Sequence, residues 1–118
     1  MSLTVDTSTE TGCCIFRLSG RFIETTNDSS LIDAAESACT YGCRKFVVDL
    51  SALTHMNSSG INLLVKTIKR INHDEGRVIF AAVPPNINEL LGVIKLNAVL
   101  EIKPSVEDGI NALQNHES

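Results

Sequence analysis

Between Phe46 and Val83 the hydrophobic period of the sequence changes twice, and this alternation limits the folds open to the chain. Phe46-Val47-Val48-Asp49-Leu50 is a nearly continuous apolar run, the pattern of a central strand covered on both faces. Ile61, Leu64, Val65, Ile68 and Ile71 then recur at helical spacing, with Asn62, Lys66, Lys69, Arg70 and His73 on the opposite face. Gly76 suits the end of that helix, and the apolar strand pattern returns from Arg77 to Val83. A strand, a helix and a strand in succession make a right-handed crossover, which leaves the two strands parallel.

The flanking segments extend the same alternation. Leu3 to Ser8 and Cys13 to Ser19 are short strand-like runs separated by Glu10-Thr11-Gly12, which predicts an opening hairpin. From Asn27 onward Leu31, Ala35, Ala38 and Cys39 follow helical spacing, with Thr26 or Asn27 as cap and Gly42 as stop. Pro84-Pro85 breaks the later strand before a short helix carrying Ile87, Leu90, Leu91 and Ile94. Val99 to Ile102 predicts a last strand. Ser105-Val106-Glu107-Asp108 resembles a capping box with a shortened acid, opening a helix with Val106, Ile110 and Leu113 inward, and the tail after Gln114 is polar. The order β-β-α-β-α-β-α-β-α predicts an α/β fold, with a mixed, mostly parallel central sheet of about five strands and about four helices. The first strand is expected antiparallel, at or near an edge. At 118 residues, with no repeat or linker, one domain is expected.

Charge and cysteine usage narrow the function. Ten Lys and Arg against fourteen Asp and Glu give a net charge of −4, without the basic footprint of a nucleic-acid or anionic-membrane binder. No apolar run reaches the roughly eighteen residues of a membrane span, and Met1-Ser2-Leu3-Thr4-Val5-Asp6 lacks a signal-like start. No membrane insertion and a cytoplasmic location are expected. Adjacent Cys13 and Cys14 would face opposite sides of a strand, Cys39 and Cys43 have C-x-x-x-C spacing, and His55, His73 and His116 are scattered. None of these is a metal signature, so buried thiols and no cofactor are expected.

In an open α/β sheet the functional crevice lies beyond the carboxyl ends of the strands. That draws attention to the connections Gly20 to Thr26, Ser51 to Gly60 and Pro84 to Asn88. In the second, Asn57, Ser58 and Ser59 stand immediately before the apolar face of the long helix, where free N–H groups meet the positive end of the dipole. Capping by Asn57 or Ser58 accounts for these residues without further assumption. A phosphate on Ser58 is compatible with capping, because about −1.5 to −2 charges are tolerated at a helix start. Nucleotide-binding glycine loops and the G-x-S-x-G elbow are absent. His55, expected half-exposed on a loop near Ser58, lacks a third group and an oxyanion hole, and Asp49 lacks the acidic pair that would hold Mg²⁺. A non-enzymatic protein is expected.

The segment Val47-Val48-Asp49-Leu50-Ser51-Ala52-Leu53-Thr54-His55-Met56-Asn57-Ser58-Ser59-Gly60 closely resembles the signature of STAS domains, the family of bacterial anti-sigma factor antagonists. Supporting marks are Leu18-Ser19-Gly20-Arg21, Gly76 before Val78-Ile79-Phe80-Ala81, and Leu90-Leu91 leading into Leu96-Asn97. The resemblance runs from about Leu3 to Leu113, which makes residues 1–118 a single STAS domain with its core at about 3–114. It implies a small module that binds an anti-sigma factor, often a serine kinase, and so releases a sigma factor for transcription. Phosphorylation by that kinase turns the antagonist off and a serine phosphatase restores it. Ser58 matches the phosphoacceptor, with Ser59 as the alternative. The implied partner surface holds Met56, Asn57, Ser58, Ser59, Ile61 and Asn62, with Arg21, Phe22, Ile23 and Glu24 from the neighbouring loop. Asn57 stands where the family usually has aspartate, and Arg21 to Glu24 where many antagonists are more acidic or polar. The rival reading is a STAS accessory or scaffold protein of a transporter or signalling complex, never phosphorylated. A small serine hydrolase is a third, which an activity-based serine probe tests. Either a monomer or a weak dimer fits the sequence.

Overall fold

The computed structural model describes residues 3–22, 30–73, 75–93, 95 and 100–115. The elements are β1 (Leu3–Glu10), β2 (Cys13–Phe22), α1 (Ser30–Thr40), β3 (Lys45–Met56), α2 (Ser58–His73), β4 (Arg77–Ala81), α3 (Pro85–Val93), β5 (Ile102–Lys103) and α4 (Val106–Asn115). They follow in the order that the periodicity predicts. The strands form one sheet in the order β1-β2-β3-β4-β5, with β1 antiparallel to β2 and each remaining neighbour parallel. The Phe46 run lies in the middle strand and β1 at an edge, as expected. Among the described residues no helix is long and apolar enough to cross a membrane.

The pleat divides consecutive residues between two cores. Phe16, Leu18, Phe46, Val48, Leu50 and Phe80 pack beneath residues of α1, α2 and α3, and the rings of Phe16 and Phe46 meet at 5.7 Å between centroids, tilted by 50°. On the other face Cys13, Ile15, Val47 and Ile79 pack against Ile110 and Leu113 of α4. Adjacent Cys13 and Cys14 are thus split between the cores, as strand alternation requires, and both are buried. In α2 the predicted faces are observed: Ile61, Leu64 and Ile71 are buried, whereas Asn62, Lys66, Lys69 and His73 are exposed. Arg70 is half-buried beside Glu36 of α1 at 3.6 Å. Thr67 is also buried, its hydroxyl satisfied by donating to the Leu63 carbonyl at 2.9 Å.

Strand lengths depart most from expectation. Ser51 to Met56, read as a loop, continues β3, and Gly20 to Phe22 continues β2. The two extensions hold each other, pairing Ser19 with Ala52, Gly20 with Leu53, Arg21 with His55 and Phe22 with Met56. Register shifts between Arg17 and Ser19 and between Gly20 and Arg21 interrupt the ladder. Such a bulge breaks the in–out alternation, and Ser51 and Ala52 are both exposed, so the segment carries no strand period. β4 stops at Ala81 rather than Val83 because Ala82, at φ 55°, has left the extended region. The last strand is Ile102–Lys103, later than the predicted Val99 to Ile102. Thr26, Asn27, Ile94 and Val99 lie outside the described residues.

Both long crossover helices end in a six-residue reverse turn of the Schellman type. After α1 the Cys43 N–H donates to the Ala38 carbonyl and the Gly42 N–H to Cys39, each at 3.0 Å, with Gly42 at φ 92° as its pattern predicts. After α2 the equivalent bonds run from Gly76 to Ile71 and from Glu75 to Asn72, both 2.9 Å, but the left-handed position is Glu75 at φ 63°. Gly76 is therefore not the left-handed residue of this turn. At α4 the predicted cap is observed, with the Asp108 N–H donating to Ser105 Oγ at 3.1 Å.

Burial, reinforced by the hydrogen-bonded Cys43 thiol, pushes the Cys14 thiol from its ordinary 9.0 up to about 12. Above about pH 9 the unfolded chain gives up this proton while the folded chain keeps it, so stability falls as pH rises toward about 12 and is fully retained below about 9. Denaturant titrations on either side of that window are expected to show a steeper alkaline loss for the wild type than for Cys14→Ala. Equal slopes for the two proteins would refute this assignment.

Candidate functional site

Asn57 alone separates Met56, the last residue of β3, from Ser58, the first of α2. A turn this short needs a side chain to satisfy the free N–H groups of the helix start. Asn57 supplies it: its Oδ1 accepts from the Gly60 N–H at 2.9 Å, and its carbonyl accepts from the Ile61 N–H at 3.0 Å. Of the two residues proposed as caps, Asn57 is the one in place. The first turn of α2 carries no acid, so the positive end of its dipole is not offset by a local carboxylate. Asn57→Ala is expected to lower stability by about 1 kcal/mol, and Asn57→Asp to preserve it, in urea denaturation.

A second set of bonds joins the neighbouring connections. The Thr54 hydroxyl donates to the Gly20 carbonyl at 2.9 Å. That uses its only hydrogen, so in the 2.9 Å contact with His55 it is the acceptor, and His55 Nδ1 carries the proton. The Asn86 side-chain amide donates to the Thr54 carbonyl at 3.2 Å. Thr54 thus ties the end of β2 and the start of α3 to the end of β3. Periodicity gave no sign of this role for Thr54. Asn86 at least falls in the Pro84 to Asn88 connection that topology marks. His55 is exposed on β3, beside Arg21 of β2, rather than on a loop.

The structure brings most of the expected surface together at this end of the sheet. Arg21, Asn57 and Asn62 are exposed, and Met56 and Ser59 are half-buried. The Phe22 backbone pairs with Met56, and Ser58 is the first residue of α2. Ile23 and Glu24 lie outside the described residues. Ile61 departs from expectation: it is 4% exposed and belongs to the main core, so it anchors the helix start from below and offers no surface to a partner. Asp49 is 9% exposed, with one oxygen accepting from the Ser51 N–H at 2.9 Å and the other 3.6 Å from Arg17 Nε, an arrangement that braces the strand. Among the described residues no group of three or more His, Cys, Asp or Glu is placed to hold a metal ion.

A family model described as STAS domain matches residues 4–109. The chain is similar to an anti-sigma F factor antagonist from Paenibacillus polymyxa, at 28% identity over 113 residues covering 96% of this chain and 94% of the relative. Among solved structures, that of an anti-sigma factor antagonist from Mycobacterium paratuberculosis gives a TM-score of 0.81 at 20% identity, covering 95% of this chain and 94% of the other. The Bacillus cell fate determinant SpoIIAA in its phosphorylated form gives 0.70 at 17% identity, covering 93% and 99%. At these identities the structural likenesses speak for the fold.

Proposed function

Because the chain belongs to the STAS domain family, we propose that it is an anti-sigma factor antagonist, a binding module rather than an enzyme. Its docking face is the end of the sheet formed by Arg21, Phe22, Met56, Asn57, Ser58, Ser59 and Asn62. Its partner is an anti-sigma factor that is also a serine kinase. Phosphorylation of Ser58 by that kinase turns binding off, and a serine phosphatase restores it. The observation that carries this reading is the one-residue turn at Asn57: the cap comes from Asn57, so position 58 is not needed as the cap. A phosphate at a helix start meets a favourable dipole, so the fold tolerates the charge while the docking face changes sign. The likeness to a protein whose phosphorylated form has been solved supports the same reading.

One observation favours the second reading, a STAS accessory protein that is never phosphorylated. Asn57 stands where the family usually has an acid beside its phosphoserine, and the first turn of α2 has no acid to replace it. The test is intact-mass analysis of the tagged chain from its own cells, together with identification of the proteins that co-purify. A phosphorylated fraction at Ser58 and an anti-sigma factor as the main partner are expected. An unmodified chain retained by transporter components would overturn the switch.

A further inference from the structure

We infer that β1 pairs with β1 of a second copy of this chain, antiparallel about Thr7, so that the sheet runs on through a two-fold dimer. The two edges of the sheet differ in what they offer a partner. At the far edge β5 is only Ile102–Lys103, and Pro104 follows it, so short length, a positive charge and a missing N–H all discourage pairing. β1 is eight residues long, holds unbroken register with β2 from Leu3 to Glu10, and contains no Pro, Lys or Arg. Thr4, Asp6, Thr7, Ser8, Thr9 and Glu10 are exposed, and the outer backbone edge has no strand partner among the described residues. Such an edge is a template for another strand.

Symmetry and charge select the partner and the register. A two-fold axis between identical antiparallel strands passes between one residue and its own copy. With Asp6 on the axis carboxylate meets carboxylate, and with Ser8 there Asp6 meets Glu10. With Val5 there the ladder reaches only from Leu3 to Thr7. Thr7 on the axis extends it from Thr4 to Glu10 and sets Asp6 against Ser8, Val5 against Thr9 and Thr4 against Glu10, so no like charges are opposed. Arg17 Nη1 donates to Ser8 Oγ at 3.2 Å, so each copy holds a guanidinium at the position that faces Asp6 of the other. This complementarity assigns the edge to a second copy of the chain. The strands reverse across the axis, so the dimer carries two Asn57 ends, pointing in opposite directions and both uncovered.

The test is sedimentation equilibrium of the full chain from about 1 µM to 1 mM, a span that brackets the affinity expected of a small interface. The average mass is expected to rise with concentration toward twice the monomer value and to stop there, because pairing β1 with β1 closes the open edge of both copies. Thr7→Lys sets two ammonium groups against each other on the axis and is expected to weaken the dimer about tenfold. Thr4→Lys sets a lysine against Glu10 at both ends of the ladder and is expected to tighten it about fivefold. A lysine on an edge strand ordinarily opposes pairing, so opposite effects at positions 4 and 7 are specific to this register. Asp6→Asn removes the charge that faces Arg17 and is expected to weaken the dimer about threefold. All three positions are exposed, and an unchanged urea midpoint shows that each variant is folded. A wild type that stays monomeric throughout overturns the inference. Growth beyond two copies overturns it too, and so do equal effects of the two lysines, because the strands would then not meet about Thr7.

Discussion

Ser58→Asp is expected to bind the anti-sigma factor about a hundredfold more weakly than the wild type, a loss of about 2.7 kcal/mol, while Ser58→Ala binds as the unmodified protein does. The penalty arises at the interface, where a charge must be desolvated against a surface built for a hydroxyl. It does not arise in the fold. Position 58 opens α2, where a negative charge interacts favourably with the dipole, and the cap is supplied by Asn57. Both variants should therefore unfold within about 0.5 kcal/mol of the wild type. Calorimetric titration of the three proteins against the same partner decides the matter. Equal affinities for aspartate and alanine would remove the charge switch, and a shared loss of stability would relocate the effect from docking to folding.

The second large effect is expected at the end of α2, with opposite signs at adjacent residues. A Cβ on Gly76 would lie 2.7 Å from Ile71 Cγ2, 3.0 Å from the Ile71 carbonyl oxygen and 3.2 Å from that of Arg44. Two of these neighbours are backbone. One closes the helix end and the other accepts from the Arg77 N–H at 2.7 Å, so neither can retreat without breaking a bond. Gly76→Ala should therefore cost about 2 kcal/mol, as overpacking does in a rigid site. Glu75, in contrast, occupies a left-handed conformation at φ 63°, so Glu75→Gly relieves strain and should add roughly 0.5–1 kcal/mol. Urea denaturation of the two variants measures both. If Gly76→Ala were neutral, the close approach would not be what requires glycine there.

Gly76 also shows how far a sequence can be read. A glycine just past a helical pattern predicts the left-handed stop, and one is present after α2, but one residue earlier. The sequence cannot separate a glycine needed for its φ angle from one needed because the backbone of another segment, here Arg44, passes close by. Ile61 shows a related ambiguity. It sits among the signature residues of the docking turn and also on the apolar stripe of α2, and packing assigns it to the core. Thr54 had no legible role, since its partners Gly20 and Asn86 are 34 and 32 residues away in the chain.

The sequence by itself determined the order of the elements, the sheet class, the split of Cys13 from Cys14 and a cap at the head of α2 from Asn57 or Ser58, between which the structure chose Asn57. All of these follow from periods of two and 3.6 or from bonds spanning a few residues, and such local physics acts on the chain wherever it lies. Only the tertiary structure decided that Ser51 to Met56 continues a strand, that Thr54 joins three connections, and that Cys14 and Cys43 share a cleft with β1. Each of these depends on which distant backbone comes within hydrogen-bond or van der Waals reach, a condition set by packing the whole sheet at once.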